Sequence, residues 1–252
     1  MTLLSVDHLS VMLRGRAILR DVSFRVAEGD CIGLIGPNGA GKTTLMRAAL
    51  GLLPATGTSS LAALPPDMRA RAAAWMPQAR QIAWPVTVER LVMLGRTPHL
   101  RGIQGPKPAD HAHVEAALAT MGLHHLRHRT AMRLSGGEQA MVLIARALAQ
   151  DTPLLMADEP IAGLDPANQI ATMRVFARLA GEGRAVIASI HDLGLAARHC
   201  TRLILLGEGG IVADGPPAEV LTPDHLARIF RVTAHYAQTA QGPVFQPLEV
   251  IE

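Results

Sequence analysis

The 252-residue chain has little cysteine, little lysine and few aromatic residues, and these shortages narrow what it can be. Its two cysteines, Cys31 and Cys200, stand far apart among core-like residues, which argues against a disulfide framework or a thiolate metal site and for buried free thiols. No segment stays apolar long enough to cross a bilayer, and residues 1–8 lack a basic stretch followed by an apolar one, so neither a spanning helix nor a leader is expected. The net charge of +3 comes from dispersed arginines with no dense block; nucleic acid is not an expected partner. No internal repeat or low-complexity tract occurs. A hydrophobic content of 49% over this length suits one domain, residues 1–252, with room for a subdomain.

Only two lysines occur against a much larger number of arginines, and one of them falls in Gly36-Pro37-Asn38-Gly39-Ala40-Gly41-Lys42-Thr43. This is the phosphate-binding P-loop pattern, in which glycine-rich backbone N–H groups cradle phosphates and a compact ammonium reaches the terminal ones. It points to ATP or GTP, held by Gly36, Asn38, Gly39, Ala40, Gly41, Lys42, Thr43 and Thr44. The context fits: Cys31-Ile32-Gly33-Leu34-Ile35 reads as a strand before the loop, and residues 42–53 as a helix after it.

Apolar runs at 154–157, 185–190 and 203–206 have strand length, and helical patterns separate the first two, which predicts an α/β fold with a parallel sheet. Residues 203–215 read as a hairpin around Gly207-Glu208-Gly209-Gly210, and residues 9–13 and 18–26 as an antiparallel layer near the N-terminus. Residues 87–150 turn helical, broken by a Gly/Pro-rich loop over 96–110, and read as an inserted helical subdomain. Residues 241–252 show no clear period.

Leu154-Leu155-Met156-Ala157-Asp158-Glu159 is an apolar strand ending in two carboxylates, whose side chains point different ways and can serve different roles. Asp158 and Thr43 are the expected Mg²⁺ ligands, and Glu159 is placed to orient or deprotonate an attacking water. Leu134-Ser135-Gly136-Gly137-Glu138 opens a long helix, where a serine and glycine N–H groups can cap the helix or bind an anion.

Taken together the motifs resemble those of ATP-binding subunits of ABC transporters over nearly the whole chain. Residues 36–43 resemble the Walker A loop, Met76-Pro77-Gln78 the Q-loop, 134–138 the signature, 154–159 the Walker B strand, Gly163-Leu164-Asp165 the D-loop and Ile190-His191-Asp192 the switch-histidine loop. The resemblance implies a P-loop NTPase core, ATP and Mg²⁺, and two such subunits, expected to be identical, that sandwich two ATP molecules. Each γ-phosphate would then be held by Lys42 of one subunit and, in trans, by the stretch Ser135, Gly136, Gly137 and Glu138 of the other, with Asp165 as an intersubunit contact that also suits a helix N-cap. Glu159 would activate water, His191 would contact the γ-phosphate, and Gln78 would link the metal and water to the face meeting the transmembrane permease subunits. A substrate-binding protein would be an indirect partner, and the site of action the cytoplasmic face of the inner or plasma membrane.

Family members commonly stack adenine on an aromatic residue near the first strand turn; here Val11-Met12-Leu13-Arg14 has none, leaving Leu13 for apolar contact and Arg14 or Arg16 for a cation–π surface. Ala140-Met141 stands where polar residues often follow the signature. Within the family, Ile82-Ala83-Trp84-Pro85-Val86-Thr87-Val88, Gly95-Arg96-Thr97-Pro98-His99 and Ala218-Glu219-Val220-Leu221-Thr222-Pro223 resemble importers of iron-siderophore, heme or vitamin B12. A soluble ABC ATPase of repair, translation or Fe–S assembly is the alternative; the short span between Lys42 and Ser135, with no sustained heptads, opposes the repair type. Among the histidines, His124 and His128 have one-face helical spacing, which falls short of the ligands a zinc site needs. Trp75 and Trp84 bracket the Q-loop and are expected as packing anchors, with Trp84 also suited to the permease interface.

Overall fold

The structure is a computed structural model and describes residues 1–79, 81–100 and 105–251. Strands β1 (Thr2–Leu13) and β2 (Arg16–Ala27) form the N-terminal antiparallel layer, burying Leu4, Val6, Leu9 and Val11 from β1 on one face. Strand β3 (Cys31–Ile35) leads through the P-loop into helix α1 (Lys42–Ala49). The helix stops short of the expected residue 53. Gly51, at φ 65°, reverses the chain, and Gly51 N and Leu52 N donate to Ala48 O and Arg47 O at 2.9 and 2.8 Å, closing the last turn in a Schellman arrangement.

Then come β4 (Thr56–Ser59), α2 (Pro66–Ala72) and β5 (Ala73–Met76), two strands that the sequence pattern did not announce. The helical block comprises α3 (Val88–Met93), a 3₁₀ turn at Leu94–His99, α4 (Pro108–Thr120) and α5 (Gly136–Ala149). Of the loop expected over 96–110, residues 101–104 lie outside the described residues, and both described flanks are helical at their outer ends. The rest of the chain is β6 (Leu154–Ala157), α6 (Pro166–Gly181), β7 (Ala185–Ser189), α7 (Leu193–His199), the hairpin β8 (Arg202–Gly207) and β9 (Gly210–Gly215), α8 (Pro217–Val220), α9 (Pro223–His225), and a second hairpin, β10 (Val232–Thr239) and β11 (Gly242–Val250), where no pattern was legible.

The central sheet runs β5-β6-β7-β3-β8-β9, parallel except for β9. Strand β3 is buried on both faces: Ile32 and Leu34 join the core under the N-terminal layer and α1, while Cys31 and Ile35 join the core shared with the helical block. This is a P-loop NTPase fold with an N-terminal antiparallel sheet and an inserted helical subdomain. Parallel strands place their C-terminal ends along one edge, so the loops after β3, β5, β6 and β7 converge there.

The segment Gly95-Arg96-Thr97-Pro98-His99 is an internal clamp of the helical block. Arg96 is buried; its Nε donates to Asp110 Oδ1 at 2.9 Å and a guanidinium nitrogen donates to Ala149 O at 2.8 Å. A Cβ on Gly95 would stand 2.1 Å from Arg146 O, so only glycine lets this turn lie against α5.

Two expectations are corrected. Trp84 is 55% exposed, too open to serve as a buried packing anchor. His124 lies in a 3₁₀ turn (His124–Leu126) that excludes His128, because Gly122 at φ 67° has already ended α4, so the two share no helix face. Among the described residues no group of three or more His, Cys, Asp or Glu is placed to hold a metal. Cys31 and Cys200 are both buried and free, as expected.

Candidate functional site

A cleft of about 630 Å³ opens at the C-terminal edge of the sheet, a size suited to a nucleotide. It is lined by Asn38, Gly39, Ala40, Gly41, Lys42, Thr43 and Thr44 of the P-loop and α1, with Ile18, Gln78, Glu159 and His191. Gly36 closes the loop from behind: its φ is 147°, and a Cβ there would come within 2.3 Å of Leu206 O. Lys42 is buried, and its Nζ donates to Gly36 O at 2.7 Å and Pro37 O at 3.1 Å. Burial lowers its pKa, opposed by the negative charges of Glu159 and Asp158.

The two carboxylates after β6 do point different ways. Asp158 is buried: Thr43 Oγ1 donates to its Oδ2 at 2.7 Å and Ser189 Oγ to its Oδ1 at 2.7 Å. Glu159 has a left-handed backbone, φ 49°, held by its N–H donating to Ser189 Oγ at 2.8 Å. That turn carries its side chain to His191, whose Nε2 lies 2.7 Å from Oε1. Burial raises the Glu159 pKa, but hydrogen bonds from His191 and Gln78 and the charges of His191 and Lys42 outweigh it, and the net shift is downward. Gln78 reaches the site because Asp158 N donates to Met76 O at 2.9 Å, tying the end of β5 to the end of β6.

Thr43 and Asp158 are in hydrogen-bonding contact and Gln78 lines the same cleft, so hydroxyl, carboxylate and amide oxygens are on offer there, a hard, oxygen-only donor set that fits Mg²⁺. Two features of the site were not anticipated. Ser189, buried beneath the cleft, joins the Asp158 carboxylate to the Glu159 backbone N–H, and the only available signal was a polar residue ending the apolar strand before His191. Ile18 lines the cleft, whereas Leu13, Arg14 and Arg16, expected near the base, are absent from its lining.

Ser135, Gly136, Gly137, Glu138 and Asp165 do not line this cleft. Ser135 caps α5 in a reciprocal box: its N–H donates to Glu138 Oε2 at 2.8 Å, and its Oγ accepts from Glu138 N at 3.3 Å. Asp165 caps α6, accepting from Asn168 N at 3.0 Å. A Cβ on Gly137 would lie 3.7 Å from Leu164, so the signature and D-loop segments adjoin on one surface. Ala140 is fully buried, so it makes no polar contact after the signature.

Residues 19–162 match the family of ABC transporters. The chain is 43% identical over 237 residues to a hemin import ATP-binding protein of Nocardia farcinica, covering 91% of this chain and 80% of that one. It is also 43% identical over 234 residues to a cobalamin import ATP-binding protein of Halobacterium salinarum, covering 90% of this chain but only 58% of the relative's length. Among solved structures, an inward-facing conformation of a metal-chelate type ABC transporter superposes with a TM-score of 0.86 at 26% identity, covering 99% of this chain and 98% of that chain.

Proposed function

The chain belongs to the ABC transporter family as an ATP-binding subunit, an ATPase serving transport, and from that premise we propose that it drives import of an iron chelate, heme or cobalamin. The observation that carries the reading of the site is the meeting of Lys42, Thr43, Gln78, Glu159 and His191 in one cleft, with Asp158 beneath them.

In this reading the P-loop N–H groups and Lys42 hold the ATP phosphates. Thr43, Asp158 and Gln78 would hold Mg²⁺, which would supply positive charge to offset the negative charge of the phosphate oxygens. Glu159, ionised and aimed by His191 and Gln78, takes a proton from water as the water oxygen bonds to the γ-phosphorus and the bond to the β–γ bridging oxygen breaks, giving ADP and phosphate. His191 steadies the γ-phosphate. A second, identical subunit supplies Ser135, Gly136, Gly137, Glu138 and Asp165 across the nucleotide; that these residues sit at the surface outside their own chain's cleft supports a role in trans. ATP binding then closes the dimer, and hydrolysis opens it.

The import of heme, cobalamin or an iron chelate is supported by what the hemin and cobalamin import relatives are named for. It implies permease subunits, a substrate-binding protein and a peripheral position at the cytoplasmic membrane face. The test is a mild-detergent pull-down from native membranes with mass spectrometry. A multi-helix permease that copurifies is the expected result, and recovery of soluble partners alone would overturn the transport role.

A further inference from the structure

The C-terminal hairpin has no part in the reaction above, yet it packs on the helix that follows His191. In the first turn of α7, three residues after His191, a Cβ on Gly194 would stand 3.5 Å from Phe245 O, so the β11 backbone lies directly against that turn. At the other end of α7, Arg198 donates to Gln241 O, in the hairpin turn, at 2.6 Å. The base of the hairpin is closed by Ile251 N donating to Arg231 O at 2.8 Å. Asp192, next to His191, caps α7 by accepting from Leu195 N at 2.8 Å.

Seven residues are too few for α7 to hold its own shape in water, so its position follows from what it packs on. On its hairpin side the Phe245 carbonyl meets Gly194, and partly buried Phe245 packs against the core that holds Ala196 and Ala197 of α7; Phe245, Phe230 and Val232 line a cleft of about 440 Å³ together with His191, Asp192, Leu193 and Gly194.

We propose that the C-terminal hairpin is a positioning element for the ATPase site: Phe245, through the first turn of α7, sets where His191 stands relative to Glu159. This rests on the catalytic pairing of those two residues proposed above. Phe245 touches no substrate; it acts through α7 and the loop before it.

The test is steady-state ATP turnover by the full chain carrying Phe245→Ala, Phe245→Leu or Arg198→Ala, each first shown by circular dichroism to be folded at the assay temperature. Phe245→Ala is expected to lower kcat about tenfold with KM for ATP unchanged, since a slight misplacement of a catalytic group slows chemistry without weakening binding. Phe245→Leu should restore most of the rate. Arg198 is exposed, so Arg198→Ala keeps the fold even if Phe245→Ala does not, and it should lower kcat in the same selective way. Wild-type kcat in the folded variants, or kcat and ATP affinity falling in step, overturns the proposal. Glu159→Gln assayed in parallel separates the two failures: if it still turns over, the reading of the catalytic pair itself is wrong, and if it is inert while the hairpin variants run at full rate, only the hairpin's role is lost.

Discussion

Ser189 Oγ donates to Asp158 Oδ1 at 2.7 Å, and the same oxygen accepts the N–H of Glu159 at 2.8 Å. One hydroxyl thus fixes both the buried carboxylate and the strained backbone of its neighbour. Ser189→Ala removes a donor from a buried charge and an acceptor from an N–H, which is expected to cost about 1–3 kcal/mol of stability. Glu159 would also lose its aim, so ATP turnover should fall while the chain stays folded. Urea unfolding and an ATPase assay on the same preparation check both, and wild-type values for the two would mean Ser189 holds neither group.

Glu159 and Lys42 should fail in separable ways. Glu159→Gln keeps the shape of the side chain and loses the base, so ATP should still bind, turnover should drop by about 100-fold or more, and a nucleotide-locked dimer should accumulate on size exclusion. Lys42→Ala removes the buried ammonium from the phosphate loop and should lose nucleotide affinity before any effect on chemistry appears. Near-normal turnover by Glu159→Gln would take that residue out of the catalytic role.

The depressed pKa of Glu159 has a directional consequence for pH. Burial alone would raise it, but His191, Gln78 and Lys42 favour the ionised form in the folded protein. Its contribution to stability is therefore fully present above the unfolded glutamate value of about 4.3 and is lost as pH falls through the lower folded value. Catalysis by this carboxylate should likewise persist to unusually low pH. Gln78→Ala removes one of its hydrogen bonds, and the acid limb of the kcat/KM profile should move to higher pH. An unmoved limb would disconnect Gln78 from Glu159.

The legible parts of this chain were those where chemistry demands a fixed local pattern. The P-loop, the paired acids after β6 and the caps Ser135 and Asp165 could be read because each motif is continuous in sequence. Strand β5 could not: Ala73-Ala74-Trp75-Met76 follows α2 as good helix-forming sequence, and its pairing with β6 decides otherwise. The last hairpin was hidden because β10 and β11 are only partly buried and β11 holds Pro243 and Pro247, so no apolar alternation marks them. Ser189 and Ile18 enter the site through neighbouring strands, a relationship that exists only after folding.

Arg96 shows how a motif can mark a family without touching its chemistry. The segment that resembles importer subunits turns its arginine inward onto Asp110, whose Oδ2 also accepts Lys107 N at 2.9 Å and so caps α4. The Lys107 N–H is the main cause of the lowered Asp110 pKa, with Arg96 adding to it. Arg96→Ala would strand this carboxylate, and Ala149 O with it, in the interior, and breaking a buried pair in this way is expected to cost about 3–5 kcal/mol. Replacing both partners, Arg96→Met with Asp110→Leu, leaves no uncompensated charge and should be markedly less costly than Arg96→Ala alone. The comparison is made from urea midpoints of the three proteins, with ATP affinity measured on the folded fraction. Equal stability of Arg96→Ala and the wild type would mean the clamp does not hold the helical block. Weakened ATP binding in the stable double variant would return the motif to the nucleotide site.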